Sequence, residues 1–544
     1  MNAWGGLAVT VHDAAAAVVS RDGTLRMAAE ERFGGPKRAG GWPGRALAWV
    51  RGASGDPVRW GVSWRPWAGL LARAGHGLPS LSAPRAGLLL AQALAPVRAG
   101  LPVRWLAHHR CHAAAAFWTS PFERAAVLVV DAAGEGWSSW AGIGEGWRLT
   151  RLDRTPYPHS LGFLYAGITE YLGWEPDRDE GTVMGLAALG DPPERLREAV
   201  RSMVHPEGPG VRLDLAAFAH HRRTRPILSE EGVRRLGVPR RAAGAPVEPV
   251  HADLAAALQA HTEAVLVAMA RALHARTGLD ALCLGGGVAL NGPAVEAVRR
   301  ESGFSEVFVP PFPHDAGTAV GAALLLAAAD GGVDREALRR GVTACGPGIG
   351  REAARRALRA AGLDWTEPDD PEEAVAAALA EGAVVARARG RAEPGPRALG
   401  RRSLLADPRD AGVRDRLNRM KGREAFRPVA PVMTVRAAKR FLDTRGGVPY
   451  MERAVAVRPA AADGIPAVVH ADGTARAQTV RPEDDAALHR LLVRFGAIAG
   501  VEVLCNTSLN GPGEPMALDA PDAVRTAVRL GADLLDLDGL LARL

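Results

Sequence analysis

Residues 125–149, AAVLVVDAAGEGWSSWAGIGEGWRL, contain an apolar run that ends on Asp131, a glycine-containing loop and a second apolar run. This pattern predicts two strands joined by a turn. A similar plan occurs earlier, at residues 6–32, GLAVTVHDAAAAVVSRDGTLRMAAEER, where His12 and Asp13 interrupt the apolar residues before a hairpin. Two such strand-rich segments in one chain predict a duplicated α/β unit.

Alanine-rich stretches lie between and after these strand-rich segments, and residues 253–277 are typical of a helix. We therefore expect the first part of the chain to be an α/β fold with two related halves. After about Gly350 the sequence changes to short helices around a Pro/Asp-rich link, then to a strand that enters a loop rich in glycine, proline and arginine. We place a domain boundary between residues 345 and 375, with residues 1–350 and 351–544 as the two domains.

The composition limits the classes of protein to consider. The chain has 544 residues, of which 47% are apolar and 23% are charged, as is usual for a globular protein of two or three domains. Its N-terminus lacks the basic segment of a signal peptide, and no stretch reaches the roughly 18 apolar residues of a membrane span. The four cysteines are far apart and form no CxxC pair. We expect a cytoplasmic protein with reduced thiols and no membrane partner.

The basic residues give the chain a net charge of +7, but they are scattered and do not interleave with aromatic residues. We therefore expect no nucleic-acid partner. Only three of the 67 basic residues are lysines, namely Lys37, Lys421 and Lys439. A lysine kept among so many arginines either marks a position that needs a compact ammonium group or is a chance retention, and the sequence does not decide between them.

A pair of histidines is the first candidate site. His108 and His112 are four residues apart, so on a helix they share a face and can bind one ion. Asp131 at a strand end and Asp315 before a helix add two carboxylates. Such a nitrogen and oxygen set suits Fe(II), Mn(II) or Zn(II). The alternatives are a solvated histidine pair and, for each aspartate, a helix N-cap.

Two further segments carry features of phosphate sites. Gly285, Gly286 and Gly287 follow a buried strand and precede Asn291 and a helix, which is typical of a phosphate cradle and equally of close helix–strand packing. The C-terminal part concentrates cations and hydroxyl or amide groups in turn-like segments, as a site for multiply charged phosphates requires. Those residues are Arg397, Lys421, Arg427, Arg476, Asn506 and Ser508.

Three of the four tyrosines, Tyr157, Tyr165 and Tyr171, cluster near Trp174. Aromatic faces with hydroxyl groups suit a sugar-like or polyketide ligand, and they also suit an aromatic core cluster. Both interpretations stay open at this point.

Several long blocks of the sequence resemble one family over nearly the whole chain. In order, they are HHRCHAAAAFWTSPFERAAVLVVDAAGE, LGFLYAGITEYLG, TVMGLAALG, LGGGVALN, PHDAGTAVGAAL, EPGPRALGRRSLLADPRD, LNRMKGREAFRPVAPVM and CNTSLNGPGEPM. The chain resembles the O-carbamoyltransferases of the family of nodulation protein U and tobramycin carbamoyltransferase.

The resemblance implies an N-terminal domain of the duplicated actin, hexokinase and Hsp70 type, which is ribonuclease H-like, and a C-terminal YrdC-like α/β domain. It also implies a two-step reaction. The C-terminal domain makes carbamoyl adenylate from carbamoyl phosphate and Mg-ATP, and the N-terminal domain transfers the carbamoyl group to an alcohol. The acceptor implied is a small natural product such as an antibiotic or a sugar-like molecule.

Matching segments assign roles to individual residues. The implied iron(II) ligands are His108, His112, Asp131 and Asp315. The implied adenylate contacts are Gly287 and Asn291. The implied contacts for carbamoyl phosphate and ATP are Arg397, Lys421, Arg427, Arg476, Asn506 and Ser508, with Lys421 and Arg397 also catalytic. His12 matches the histidine that removes the proton of the acceptor hydroxyl, a role that suits an unperturbed pKa near 6.5.

The chain departs from the family pattern at three positions that bear on specificity. Thr182 stands near a usual lysine, Leu189 stands at a usual tyrosine, and Arg401 replaces an asparagine. The acceptor and the oligomeric state, a homodimer included, are not decided by the sequence. Other readings are a kinase or ATPase of the same superfamily, a nucleic-acid binder, and carbamoylation of a macromolecule.

Overall fold

The computed structural model describes residues 3–55, 57, 59–65, 67–68, 92–223, 225–444 and 446–544. The chain divides into two compact units. The first comprises Met1–Glu30 and Arg38–Arg339, and the second comprises Glu31–Lys37 and Arg340–Leu544. The second unit is therefore discontinuous in sequence.

The first unit contains two five-stranded sheets that share one strand order. In each sheet three consecutive strands pair antiparallel, and the first of them pairs in parallel with a fourth strand, which pairs in parallel with a fifth. One sheet has the order β3-β2-β1-β4-β5, and the other has the order β12-β11-β6-β7-β8. A separate hairpin pairs β9 with β10.

The strands of the first unit are β1 (Ala3–Ala8), β2 (Ala15–Ser20), β3 (Leu25–Ala29), β4 (Arg59–Val62), β5 (Val103–Trp105), β6 (Arg124–Gly134), β7 (Trp137–Glu145), β8 (Arg148–Asp153), β9 (Val204–Glu207), β10 (Gly210–Leu213), β11 (Ala281–Gly285) and β12 (Glu306–Phe308). Strands β1 and β2 are buried almost throughout, which explains why their sequences are continuous apolar runs and do not alternate. The strand, break, strand and hairpin predicted for residues 6–32 are present.

The helices of the first unit are α1 (Gly44–Ser54), α2 (His108–Trp118), α3 (Leu161–Tyr171), α4 (Glu180–Ala187), α5 (Glu194–Arg201), α6 (Glu230–Leu236), α7 (Pro249–Thr277), α8 (Gly292–Glu301) and α9 (Thr318–Ala329). Helix α10 (Arg335–Gly341) crosses the boundary to the second unit. Helix α9 packs on β1 and α2 with little space between backbones. A Cβ atom at Gly321 would overlap the Cys111 carbonyl oxygen, and one at Gly6 would overlap that of Ala319.

The second unit is built on a seven-stranded mixed sheet of order β18-β15-β19-β14-β13-β20-β21. Its strands, with a two-stranded sheet of β16 and β17, are β13 (Val385–Ala388), β14 (Arg402–Ala406), β15 (Ala430–Thr434), β16 (Val455–Ala456), β17 (Thr474–Ala475), β18 (Gln478–Val480), β19 (Val503–Ser508), β20 (Leu534–Leu537) and β21 (Leu540–Arg543). Its helices are α11 (Arg351–Ala360), α12 (Pro371–Ala380), α13 (Gly412–Met420), α14 (Val435–Phe441), α15 (Pro459–Ala462), α16 (Ala486–Ala499) and α17 (Ala520–Leu530). Both units are mixed α/β, which confirms the predicted fold class at that level.

The four cysteines are all free and buried. Among the residues that the structure describes, no helix combines the length and the apolar character needed to cross a membrane.

Candidate metal centre and anion site

Helix α2 carries the two histidines on one buried face. His108 and His112 are 1% and 2% exposed, and their Nε2 atoms are 3.2 Å apart. The Nδ1 atom of His108 lies 3.3 Å from the carbonyl oxygen of Ser63. That carbonyl can only accept a hydrogen bond, so Nδ1 carries a proton and Nε2 is the ring atom that would bind an ion. The pair is therefore not a solvated one.

Asp131 reaches the histidines from an irregular part of β6, where the pairing with β7 shifts register between Val130 and Gly134. Its Oδ1 atom accepts hydrogen bonds from the backbone amides of Ala132 (2.9 Å) and Gly287 (3.4 Å). Its Oδ2 atom lies 3.4 Å from His108 Nε2 and 3.3 Å from His112 Nε2. One oxygen is thus held by the backbone and the other faces the imidazoles.

Asp315 completes the group from the short turn that precedes α9. Its Oδ1 atom lies 3.4 Å from His108 Nε2 and 3.3 Å from His112 Nε2. The residue that caps α9 is Gly317, and the Asp315 side chain makes no capping bond to that helix. The N-cap alternative for Asp315 therefore does not describe this structure.

The donor set fits a single metal ion. The two Nε2 atoms and the two carboxylate oxygens all lie within 4.8 Å of one another, and five of their six separations are 3.2–3.4 Å. An ion bound at about 2.0–2.2 Å places neighbouring ligand atoms about 3.0–3.5 Å apart. Two nitrogen and two oxygen donors without sulfur are suitable for Fe(II), Mn(II) or Zn(II).

The ionisation of the four groups reflects their mutual contacts. Burial alone would lower the pKa of His108, but the Asp315 charge and the hydrogen bonds of both carboxylates outweigh it and raise the pKa well above 6.5. Burial would likewise raise the pKa of Asp131, yet its hydrogen bonds to the two histidines lower the pKa below the usual range. Charged side chains that are buried this deeply are stable only when opposite charges lie beside them, as they do in this group.

His12 lies beside this group. Its Nδ1 atom is 3.0 Å from Asp13 Oδ2, 3.1 Å from an Arg38 guanidinium nitrogen and 4.0 Å from Asp315 Oδ2. Burial lowers the pKa of His12, but the hydrogen bond to Asp13 and the charge of Asp315 outweigh it and raise the pKa to about 9. The base role expected for His12 suits an unperturbed pKa near 6.5, and the pKa in this structure is higher. The Asp13–Arg38 pair that orients the ring was not predicted.

The glycine-rich segment packs against β6. A Cβ atom at Gly286 would overlap the Val130 carbonyl oxygen, and the backbone of Gly286 has a φ of +86°, which favours glycine. The Gly287 amide donates to Asp131. The Asn291 side-chain oxygen accepts a hydrogen bond from the Ala294 amide and so caps α8. The side-chain amides of Asn291 and Gln259 each donate one 2.9 Å hydrogen bond to the other. Asn291 therefore has an internal role in the fold, which the sequence did not signal.

The tyrosine cluster is buried, and each hydroxyl has an internal partner. Tyr157 donates to the His220 carbonyl, Tyr165 to the side chain of Gln259, and Tyr171 to the Val238 carbonyl. This arrangement favours the core interpretation of the cluster.

In the second unit, Lys421 is a buried ammonium group beside the end of β19. Its Nζ atom contacts the carbonyl oxygen of Ser508, Ser508 Oγ at 3.3 Å, and the carbonyl and side-chain oxygens of Asn510 at 2.8 and 2.9 Å. Burial and the charges of Arg423, Lys37 and Arg427 lower its pKa. Lys421 thus lies in a strongly cationic environment.

Four arginines share that environment. Burial and the charges of Arg397, Arg423 and Arg427 lower the pKa of Arg476 well below 12.5. Arg476 has no hydrogen bond or ion pair among the described residues, and its Nε atom is buried without a partner. Arg423 was not predicted, although it lies two residues after Lys421 in a segment that the sequence singled out, and its buried Nη2 atom also lacks a partner.

Asn506 and Ser508 lie on β19 beside these cations. Asn506 is 1% exposed, and its Nδ2 atom donates to the carbonyl of Ala398 and to the side chain of Gln478, each at 3.0 Å. Its Oδ1 atom is buried without a partner among the described residues. The structure therefore brings the predicted phosphate contacts of this unit into one cationic region.

The three departures from the family pattern lie in different surroundings. Thr182 is buried in α4 and Leu189 is 52% exposed. Arg401 forms an ion pair with Asp485 at 3.1 Å.

Comparison with known proteins gives matches along most of the chain. Residues 94–324 match the family model described as carbamoyltransferase N-terminus, and residues 376–543 match the one described as carbamoyltransferase C-terminus. An uncharacterised protein of Synechocystis is 32% identical over 98% of this chain and 96% of its own length. The nodulation protein NolNO of Sinorhizobium fredii is 35% identical over 98% of this chain and 78% of its own length. A 3'-hydroxymethylcephem-O-carbamoyltransferase of Amycolatopsis lactamdurans is 40% identical over 45% of this chain and 43% of its own length.

Proposed function

The chain belongs to the carbamoyltransferase family and is an enzyme, and from that premise we propose that it is an ATP-dependent O-carbamoyltransferase that modifies a hydroxyl group of a small natural product. Residues 351–544 would form carbamoyl adenylate in a YrdC-like domain, and residues 1–350 would transfer the carbamoyl group. The matched strand orders of the two sheets in the first unit support a duplicated fold of the actin and hexokinase type there.

The observation that carries the proposal is the unpaired positive charge of the second unit. Arg476 is a guanidinium group without a partner among the described residues, surrounded by Arg397, Arg423 and Arg427. A buried cation without a counter-charge is unfavourable unless an anion binds beside it. Carbamoyl phosphate and the phosphates of Mg-ATP supply such anions, and arginine forks match phosphate geometry.

The proposed first half-reaction consumes carbamoyl phosphate, water and ATP. Water bonds to the phosphorus of carbamoyl phosphate and releases phosphate and carbamate. A carbamate oxygen then bonds to the α-phosphorus of ATP, and pyrophosphate leaves, which gives carbamoyl adenylate. Lys421 and Arg397 would neutralise the charge that the transferring groups carry.

In the second half-reaction the acceptor oxygen bonds to the carbamoyl carbon and the bond to AMP breaks. His12 would take the hydroxyl proton on Nε2, because Nδ1 faces Asp13 and this contact orients the ring. The neutral ring is favoured when a cation offsets the nearby charge of Asp315. We propose that His108, His112, Asp131 and Asp315 hold Fe(II), which would supply Lewis-acid stabilisation of phosphate charge when bound.

The name of the Amycolatopsis relative gives a hydroxymethyl group as its acceptor. We propose an alcohol of this general class for the present enzyme. The exposed Leu189 and the buried Thr182 are positions where its acceptor preference would differ from that of relatives.

The test is an anaerobic assay with purified protein, carbamoyl phosphate and Mg-ATP but no acceptor, in which mass spectrometry follows carbamoyl adenylate and pyrophosphate. We expect both products from the wild type and at least about 100-fold less from Lys421→Ala, because the variant lacks a buried cation of the site. Lys439→Ala, which removes an exposed lysine of the same unit, is the matched control. Formation of ADP without pyrophosphate would contradict the proposal and indicate a kinase or ATPase.

A further inference from the structure

The segment that follows β4, residues 63–65, contacts elements that carry three of the four proposed metal ligands. Ser63 lies at the carboxyl end of β4 and is fully buried. Its backbone amide donates to the carbonyl of Leu7 at 3.0 Å, which fixes the segment to β1. The carbonyl and the hydroxyl of Ser63 reach two different ligand-bearing elements.

The first contact orients the His108 ring. The Ser63 carbonyl accepts a hydrogen bond from His108 Nδ1 at 3.3 Å, and the Trp64 ring packs edge-on against the imidazole with 5.2 Å between the ring centroids. Gly134 lies against the same ring, where a Cβ atom would overlap His108 Cδ2. The direction of the ring is therefore set by its protein neighbours.

The second contact reaches the turn that carries Asp315. The Thr318 hydroxyl donates to the Asp315 carbonyl at 2.5 Å. A hydroxyl group has one hydrogen, so the Thr318 oxygen must accept from Ser63 Oγ, which lies 2.7 Å away. Ser63 and Thr318 are both 0% exposed, so bulk water cannot replace either bond. This hydroxyl pair ties the Asp315 turn to β4.

The third contact holds the turn between β6 and β7. The Glu135 carboxylate accepts from the Arg65 backbone amide at 2.6 Å and from its Nε and Nη2 atoms at 3.0 and 2.6 Å. The Glu135 side chain is 2% exposed, and its φ of +55° is a left-handed conformation that persists only where neighbouring contacts fix it. The ion pair thus fixes the end of the irregular residues 131–134, which present Asp131.

We infer that Ser63 and Arg65 are positioning residues of the candidate metal centre. From one short segment they hold ligands that come from three different elements, and so keep the ligand atoms at the separations that a single ion needs. This inference rests on the proposed function, because it needs the ion that the proposal places there. Neither residue belongs to the ligand group itself. If their bonds only stabilised the fold, loss of the bonds would lower the stability and leave the affinity for metal unchanged.

The hydroxyl pair is tested with two variants of one residue. Thr318→Val removes the hydroxyl at nearly constant volume, and Thr318→Ser keeps it. Anaerobic titration of the metal-free, full-length protein uses Co(II), which binds the same nitrogen and oxygen donors as Fe(II), with visible absorption and chelator competition as readouts. We expect Thr318→Val to bind Co(II) about 10-fold more weakly than the wild type, with altered absorption bands, and Thr318→Ser to recover most of the affinity.

Thr262→Val is the matched control. Thr262 is also 0% exposed in the first unit, and its hydroxyl donates to the carbonyl of Leu258 within α7 at 2.8 Å. The control should keep the wild-type Co(II) affinity and absorption bands, even where its urea midpoint falls as far as that of Thr318→Val.

Glu135→Gln tests the ion pair independently. The new side chain can still accept from the Arg65 backbone amide, but it turns its NH2 group toward the guanidinium and loses that pairing. We expect Co(II) affinity to fall about 10-fold. Glu296→Gln is the matched control, because Glu296 is a buried carboxylate paired with Arg299 on α8 of the same unit, and it should bind Co(II) as the wild type does.

Wild-type affinity and absorption bands in both Thr318→Val and Glu135→Gln would overturn the inference while leaving the metal centre intact. Equal losses of affinity in the two variants and their two controls would overturn it as well, since the losses would then follow stability alone. Absence of Co(II) binding by the wild type would overturn the metal centre of the proposed function together with the inference.

Discussion

The two oxygen atoms of the Asp131 carboxyl group have different partners, one in the backbone and one in the candidate metal centre. The Ala132 and Gly287 amides hold its Oδ1 atom, and Oδ2 faces His108 and His112. A metal-binding oxygen fixed in this way keeps its direction without help from the ion.

Substitution of Asp131 by asparagine tests this division. The two backbone amides require an acceptor at Oδ1, so the new amide group would turn its NH2 toward the imidazoles and offer no ligand there. We expect bound iron to fall from about one ion per chain to below about 0.1. Elemental analysis after anaerobic loading with Fe(II) measures the change.

The control for this prediction is Asp153→Asn, which alters an exposed carboxylate on β8 of the same unit. Equal iron content in Asp131→Asn and the wild type would show that the four side chains do not form the metal centre.

For single residues, the sequence predicts those site residues that a pattern of neighbouring residues marks. The four-residue spacing of His108 and His112 is such a pattern, and so is the apolar run that ends on Asp131. The prediction that Asp131 ends a strand is wrong, because β6 continues through an irregular pairing to Gly134. The pairing of Asn291 with Gln259 has no local signal in the sequence, because Gln259 lies 32 residues away and belongs to another helix.

Among the elements, the contact of α9 with α2 has the most direct bearing on the candidate metal centre. Helix α2 carries two of its proposed ligands, and α9 begins three residues after Asp315. Gly321 of α9 lies against the backbone of Cys111 in α2, so the distance between these helices is set by the absence of a side chain.

Gly321→Ala should therefore force the two helices apart. We expect a loss of about 1–3 kcal/mol in the free energy of unfolding and a weaker affinity for Fe(II), both measured on the purified protein. Gly52→Ala is the matched control, since Gly52 is helical and exposed with nothing near its Cβ position, and it should stabilise the protein by up to about 1 kcal/mol. Equal effects of the two substitutions would contradict this account.

The sequence predicts these elements unevenly. The hairpin of residues 6–32 and helix α7 follow from apolar runs and periodicity, which are local properties. The register shift in β6 that presents Asp131 depends on pairing with β7, and the sequence carries no separate sign of it.

In the whole molecule, two separate segments of the chain form the second unit. Residues 31–37 belong to it, and Arg32 in that segment is buried and donates to the carbonyl oxygens of Glu393 and Gly395. The sequence places a domain boundary near Gly350 from a change in composition. It gives no sign that residues 31–37 belong to the second unit, because that depends on contacts between residues 361 positions apart.

Arg32→Leu should loosen the loop that leads to Arg397. We expect faster amide hydrogen exchange in residues 391–402 and a severalfold weaker affinity for inorganic phosphate, because two backbone carbonyls lose a buried donor. Exchange within the first unit should not change. Arg26→Leu on β3 is the control, and an identical exchange pattern in both variants would refute the assignment of Arg32 to the second unit.

The early position of residues 31–37 has a consequence for synthesis on the ribosome. These residues emerge among the first of the chain, while the loop that Arg32 contacts emerges about 360 residues later. During that interval the first unit can fold while residues 31–37 still lack their partners, and the second unit cannot be completed until translation is nearly finished. A gene split between the two units would separate Arg32 from its partners, so this enzyme is best inherited and expressed as one polypeptide.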